Sequence, residues 1–332
     1  MSLVQKILNR LHGELFTINR LLPAEMVAMV LQLLPPRDLM AAMLVCRRWR
    51  EVGEDSPALW TWVWLNVNYE NHASLCQMID SRRIQMATNM RVGNYLVSDE
   101  GLQAVVRRLK LKSLEINSNN TLEDPKLMET IIGSLESNTL ESLGLHAYSL
   151  NTEEATQLLT ALQNISSLKS LNLSYINLSE VDPGLLARAV MRVEEVYMDY
   201  SQIQAAQAEA IFATIQDGGK LKKLMMRGTY EGKLSTVNQE VMAKGINLME
   251  EVEIQKSTTS GEQVTRVLTQ ALKGTQLKSL GMMGEVVEIE AKHVRLARRV
   301  MTAVSCNFDV VFHDDTEWFE LKDWATHRLA FT

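Results

Sequence analysis

The sequence predicts an α/β fold: a small all-α N-terminal module followed by a horseshoe-shaped solenoid, with parallel strands on the concave face and helices on the convex face. Three observations predict it. A pattern apolar-x-x-apolar-x-apolar recurs with a period near 28 residues, the stretch between copies switches to helical spacing, and residues 22–52 lack the pattern but hold short apolar helices broken at Pro35-Pro36.

Each unit can be read directly. LKSLEI, LESLGL, LKSLNL, VEEVYM, LKKLMM, MEEVEI and LKSLGM begin at Leu111, Leu140, Leu168, Val193, Leu221, Met249 and Leu277, with spacings of 29, 28, 25, 28, 28 and 28. SCNFDV at Ser305 and the looser ATNMRV at Ala87 extend the series at either end. The last two apolar positions of a unit are two apart, which is the period of a strand with one face buried. The remainder is helical: after LESLGL, Ala155, Leu158, Leu159 and Leu162 fall at i, i+3, i+4 and i+7 behind a cap at Asn151 or Thr152. After LKSLEI, Asp124-Pro125 is a helix start ahead of Leu127, Ile131 and Leu135, while Gly218 and Gly274 close two later helices. Strand plus helix at fixed period stacks strands side by side and curves the array.

These repeats resemble the leucine-rich repeats of the ribonuclease-inhibitor and F-box/LRR type, over roughly residues 85 to 310. One position departs from that family. Where its repeats place Asn or Cys after the strand, this chain has Tyr148, Ile176, Ser201, Thr229, Ser257 and Glu285, and only Asn119 conforms, so irregular turns are expected.

In the N-terminal module a helix is expected from Pro23–Glu25 to Leu34 with Leu22, Met26, Val30 and Leu34 on one stripe, then a second helix capped near Asp38, then a segment holding Val45 and Trp49. So much apolar surface on short helices leaves some over for a partner. Leu22-Pro23-Ala24-Glu25, Leu34-Pro35, Asp38-Leu39 and Val45-Cys46-Arg47-Arg48-Trp49 resemble the F-box at its own spacing. The resemblance implies docking to the Skp-type adaptor of a cullin-RING ubiquitin ligase, and through it to cullin, with Leu22, Pro23, Leu34, Leu39, Val45 and Trp49 at or supporting that interface. The segment PALWTWVWLNV resembles the passage from F-box to first strand. The expected organisation is an amphipathic N-terminal helix over 1–21, the F-box-like module over 22–65, the solenoid over 66–310 and a C-terminal capping segment over 311–332. The heptad steps of Val4, Leu8, Leu11, Leu15, Ile18 and Leu22 suit a helix packed on the F-box, or a dimerisation helix. Trp318, Phe319 and Trp324 lie in an end unit covering the core, or in a tail that helps hold a partner.

Composition narrows the function. Formal charge is −6, from 34 Lys+Arg against 40 Asp+Glu, so no basic field favours nucleic acid or anionic membrane. Three scattered cysteines suit a reducing compartment, cytoplasm or nucleus, and no apolar run reaches the ~20 residues needed to span a bilayer. The four Asn-x-Ser/Thr matches, at Asn119, Asn164, Asn172 and Asn177, are expected to stay unmodified without a secretory route. His72 and Cys76 are a lone pair short of a metal set, Cys46 reads as a buried small apolar residue, and Gly228 to Gly232-Lys233 is one residue short of a phosphate loop. No catalytic, cofactor or metal constellation is expected.

A binding surface is. On each strand the residues between and after the apolar pair face the concave side, and Glu195, Tyr197, Asp199, Lys223, Met225, Arg227, Glu251 and Glu253 make the charged, aromatic stretch expected to bind a protein substrate. The competing reading is a solvated strand face. Lys223 and Arg227 would also suit a phosphate group. The expectation is a non-catalytic substrate receptor of an SCF-type ubiquitin ligase, the rival a repeat scaffold or inhibitor that binds a protein and delivers nothing for degradation.

Overall fold

The computed structural model describes residues 22–34, 36–66, 80, 82–94, 103, 106–118, 125–136, 139–147, 150–228, 234–255, 259–285, 295–296, 299–300, 307–314 and 317–321. The N-terminal helix expected over 1–21 lies outside them, as do the side chains of the tail.

The module opens with helix α1 (Ala24–Gln32), followed by α2 (Pro36–Met43) and α3 (Arg47–Asp55). Pro36 starts α2, and Asp38 sits in its first turn instead of capping it. Cys46 is the residue before α3 and is half-buried, its Sγ accepting a hydrogen bond from the Trp49 amide at 3.4 Å. It is thus a helix cap, a correction to the buried apolar role expected of it. Val27, Leu31, Leu39, Ala42, Met43 and Val52 form the module's own small core, with Trp49, Leu59 and Trp60 packed around it. Two polar ties fix the ends: Arg48 donates to the Leu22 carbonyl, and Trp60 Nε1 donates to the Gly53 carbonyl at 2.7 Å.

From Trp60 the chain passes into an 11-stranded sheet whose order follows the sequence. Its strands are β1 (Trp62–Asn66), β2 (Asn89–Asn94), β3 (Ser113–Ser118), β4 (Ser142–Ala147), β5 (Ser170–Asn172), β6 (Glu195–Tyr197), β7 (Lys223–Arg227), β8 (Glu251–Gln255), β9 (Ser279–Glu285), β10 (Asn307–Asp314) and β11 (Glu317–Leu321). Pairing is parallel from β1 to β10, and β11 runs antiparallel to β10. The register puts equivalent repeat positions opposite each other, Leu114 on Leu143, Leu171 on Val196, Leu224 on Val252. These inward side chains are buried with their helix partners in one continuous core from Val63 to Val300. An α/β solenoid on an all-α module is the fold the sequence predicted.

The helices on the outer side are a short α4 (Arg82–Gln85), then α5 (Pro125–Glu136), α6 (Thr152–Leu162), α7 (Pro183–Val190), α8 (Ala205–Ile215), α9 (Gln239–Asn247) and α10 (Gly261–Lys273). Their starts are written in the sequence: Asn151 accepts from the Glu154 amide at 2.9 Å, Asp182 from the Leu185 amide at 2.6 Å ahead of Pro183, and Ser260 from the Gln263 amide at 3.2 Å. Two glutamines do a second job. Gln207 is buried, its Oε1 accepting from the Gln204 amide at 2.7 Å while Nε2 donates to the carbonyls of Leu178 and, at 2.7 Å, Val181 in the preceding repeat. Gln263 repeats this, accepting from Ser260 N at 2.9 Å and donating to Leu234 O at 2.5 Å and Val237 O at 2.9 Å.

Among the described residues, the turns after β5, β6 and β7 differ in side chain but share a backbone feature. Ser201, fully buried, donates its hydroxyl to Leu173 O at 2.7 Å, and Ile176 at the equivalent place is buried as a core residue. The residue just before this position is left-handed in three successive units, Tyr175 (φ 66°), Tyr200 (φ 58°) and Gly228 (φ 66°). At the opposite ends of the strands, the second residue of each unit alternates in charge: Lys112, Glu141, Lys169, Glu194, Lys222, Glu250, Lys278. Ion pairs join Glu141 to Lys169 and Glu194 to Lys222 at 2.7 Å, and Glu250 to Lys278 at 2.5 Å.

Candidate functional site

Two surfaces stand out among the described residues. The first is the outer face of α1. The helix has two apolar stripes: Val27 and Leu31 point inward and are buried, while Met26, Met29, Val30 and Leu33 point outward. Met29 is 60% exposed and Leu33 83%, and in the turn before α3 Leu44 is 74% and Val45 61% exposed. So many large exposed apolar groups close together, on a module that has a core of its own, make this face a candidate interaction surface.

The residues expected to form the docking surface divide in the structure. Pro23 and Val45 are exposed and available to a partner. Leu22, Leu34 and Trp49 are half-buried against the module core, and Leu39, only 5% exposed, belongs to that core. Leu34 and Leu39 line the wall of a cavity of about 630 Å³ between the module and the first strands, with Trp60, Trp62, Arg91 and Glu115 around it. These residues therefore support the surface from within. The single stripe expected of Leu22, Met26, Val30 and Leu34 is split, because Met26 and Val30 face out. Met29, Leu33 and Leu44 were missed, although apolar residues on both faces of one short helix were a readable sign.

The second surface is the concave face of the sheet, where strand alternation delivers two rows. One runs Ser113, Ser142, Ser170, Glu195, Lys223, Glu251, Ser279; the next runs Glu115, Gly144, Asn172, Tyr197, Met225, Glu253, Gly281. All eight expected substrate-binding residues lie together here, on or beside β6, β7 and β8. Their charges are largely matched among themselves. Lys223 pairs with Glu251 at 2.7 Å and lies 5.7 Å from the centre of the Tyr197 ring, and Arg227 pairs with Glu253 at 2.5 Å. The Tyr197 hydroxyl donates to Glu195 at 3.0 Å, and burial, then this neighbour, push its pKa up. Asp199 accepts from the Arg227 amide at 2.9 Å. A phosphate at Lys223 and Arg227 would have to compete with the carboxylates of Glu251 and Glu253 that they already hold.

Toward the module the face holds a second polar cluster. Glu115 accepts from Arg91 and from His146, whose Nε2 lies 3.1 Å away. That same nitrogen is 3.2 Å from Asn172 Nδ2, so it can donate to Glu115 or accept from Asn172 but not both. Burial raises the Glu115 carboxyl, but the hydrogen bonds from His146 and Arg91 outweigh it and hold its pKa at about 2. Beyond it, the ring of Tyr175 lies 6.3 Å from His146 and stacks on Tyr200 at 5.1 Å and 11°. The Tyr200 ring in turn covers Gly228, where a Cβ would sit 2.5 Å from it.

Among the described residues no group of three or more His, Cys, Asp and Glu side chains is placed to hold a metal, and no helix is long and apolar enough to cross a membrane.

Compared with known proteins, residues 20–66 match the F-box-like family model. No curated protein sequence matches the chain. Among solved structures it is similar to a chain from the complex of Rad7 and Elc1 in yeast, with 12% identity and a TM-score of 0.49 over 94% of this chain and 86% of that one. It is also similar to an internalin (inlF) of Listeria monocytogenes, with 10% identity and a TM-score of 0.35 over 70% and 71% of the two chains.

Proposed function

We propose that this chain, an F-box-like domain at residues 20–66 joined to a leucine-rich-repeat solenoid, is a substrate-recruiting subunit of an SCF-type ubiquitin ligase. The observation that carries the reading is the outward stripe of α1, Met26, Met29, Val30 and Leu33, continued by Leu44 and Val45. In this reading the stripe buries itself on a Skp-type adaptor and brings cullin with it, while Leu22, Leu34, Leu39 and Trp49 hold the helices in the docking geometry. The solenoid, from about residue 66 to 310, presents a target protein on the concave residues Glu195 to Glu253. The chain works by proximity: it raises the effective concentration of the target beside the charged enzyme, and the bond-making belongs to other subunits. Its place of work is the cytoplasm or nucleus, where that machinery lies.

Met26→Asp combined with Leu33→Asp tests the docking surface. Both positions are solvent-exposed, so thermal stability stays near that of the wild type while capture of adaptor and cullin from cell extract is lost. Retained capture would overturn the reading, and absence of adaptor from the wild-type capture would reduce the chain to a repeat scaffold.

A further inference from the structure

Burial divides the methionines of this chain sharply. Met43 lies in the core of the helical module, and Met90, Met198, Met226, Met242 and Met249 are sealed in the solenoid core. Met86 and Met225, both half-buried, lie outside the module. Met26 and Met29, 45% and 60% exposed, are the most open methionine side chains among the described residues. They stand at i and i+3 of α1, which puts them on one face of the helix, and that face is the outward stripe with Val30 and Leu33.

Hydrophobicity does not set these two side chains apart from their neighbours on the stripe. Val30, Leu33, Leu44 and Val45 are hydrocarbon, whereas a thioether carries a polarizable sulfur with a reactive lone pair. Exposure opens that sulfur to hydroperoxides. The lone pair attacks one peroxide oxygen, an S–O bond forms as the O–O bond breaks, and two electrons pass from sulfur to peroxide. The proton on the transferred oxygen moves to the departing one, which leaves as water from hydrogen peroxide or as an alcohol from an organic hydroperoxide. The sulfoxide that results is polar and holds water by hydrogen bonds, so drying it against an apolar surface costs that hydration. Methionines sealed in the cores are out of the oxidant's reach, and the fold is spared.

We propose that Met26 and Met29 are a modification site through which hydroperoxides weaken the docking surface. The inference rests on the adaptor-docking reading and adds its regulation. A docked stripe excludes solvent, so the oxidant acts on chains free of adaptor and spares those already assembled.

The test treats the full chain with graded hydrogen peroxide, follows each methionine by peptide mass spectrometry, and measures affinity for purified Skp-type adaptor on the same samples. Met26 and Met29 are expected to oxidise at least about tenfold faster than Met198, Met226 or Met249. Once both are converted, affinity for the adaptor is expected to fall about tenfold or more while the melting temperature is unchanged. Met26→Leu with Met29→Leu removes both sulfurs at similar volume and, read against its own untreated affinity, shows no loss after the same dose. Methionine sulfoxide reductases acting on both epimers, with a dithiol that becomes a disulfide as the oxygen leaves as water, restore docking of the oxidised wild type. Excess adaptor present during the dose slows oxidation at Met26 and Met29. Undiminished docking after conversion of both sulfurs, an equal loss in the leucine variant, oxidation of the core methionines first, or oxidation unslowed by bound adaptor overturns the proposal. Failure of the untreated chain to bind adaptor overturns the docking reading and the inference with it, and is told apart because it appears before any oxidant is added.

Discussion

Gln207 and Gln263 show what a single side chain does in a repeat protein. Each amide caps its own helix with its oxygen and ties the previous repeat's turn with its nitrogen. Gln207→Leu keeps the volume but takes the side-chain partner from the Val181 carbonyl and the Gln204 amide and leaves the Leu178 carbonyl only the Val181 amide at 2.9 Å, and is expected to cost about 2–4 kcal/mol in chemical denaturation. A cost below 1 kcal/mol would mean that water reaches those carbonyls. Glu115 sets a pH dependence. Its carboxyl titrates near 2 in the folded chain against an ordinary 4.5, so it stabilises the fold above pH 4.5, and that contribution disappears as pH falls from 4.5 toward 2. The melting temperature of the wild type should exceed that of Glu115→Gln at pH 6 and converge with it by pH 2; a constant gap would refute this role. The ties that Gln207 and Glu115 make between repeats were not legible in the sequence, because those partners lie 24 to 31 residues away.

At the scale of elements, the sequence was most legible where one period governs. The strand pattern, the Asn151 cap and the helix start at Pro125 all depend on neighbours within a few residues. The two-faced nature of α1 was harder to see: Leu31 and Leu33 are chemically alike, and only the packing of α2 and α3 decides which is covered. The same holds for the concave face. Alternation put all eight expected residues on it, but the pairing of Lys223 with Glu251 and Arg227 with Glu253 depends on strand register, which one strand's sequence does not contain. Helices α8 and α9 supply a test of packing. A Cβ on Gly245 would stand 2.7 Å from the Phe212 carbonyl oxygen and 2.9 Å from Phe212 Cβ, so this glycine lets the helices approach. Gly245→Ala is expected to destabilise by about 1–3 kcal/mol despite the better helix propensity of alanine. A stabilised variant would show that the helices can separate freely.

Beyond the helical module, which has its own core, the molecule is one sheet and one long core in which each repeat is braced only by its neighbours, so stability should be graded along it. Amide exchange is expected to be slowest in β5 to β8, which have repeats on both sides, and faster in β2 and β10; uniform protection would indicate a single cooperative unit. The last strand ends the array with reversed polarity, so β11 offers the wrong hydrogen-bonding pattern for another parallel repeat. The first strand has the larger consequence. Trp62–Asn66 leaves the helical module and enters the sheet at once, in register with Asn89–Gly93, and the Thr61 carbonyl accepts from the Asn89 amide at 2.9 Å. No pliable tether intervenes, so in a ligase the arm would swing as one piece and hold its passenger at a set reach and bearing. Which surface lysines of that passenger meet the transferring enzyme would then be decided by geometry, and lengthening the join at Thr61 would redistribute the marks without changing what is bound.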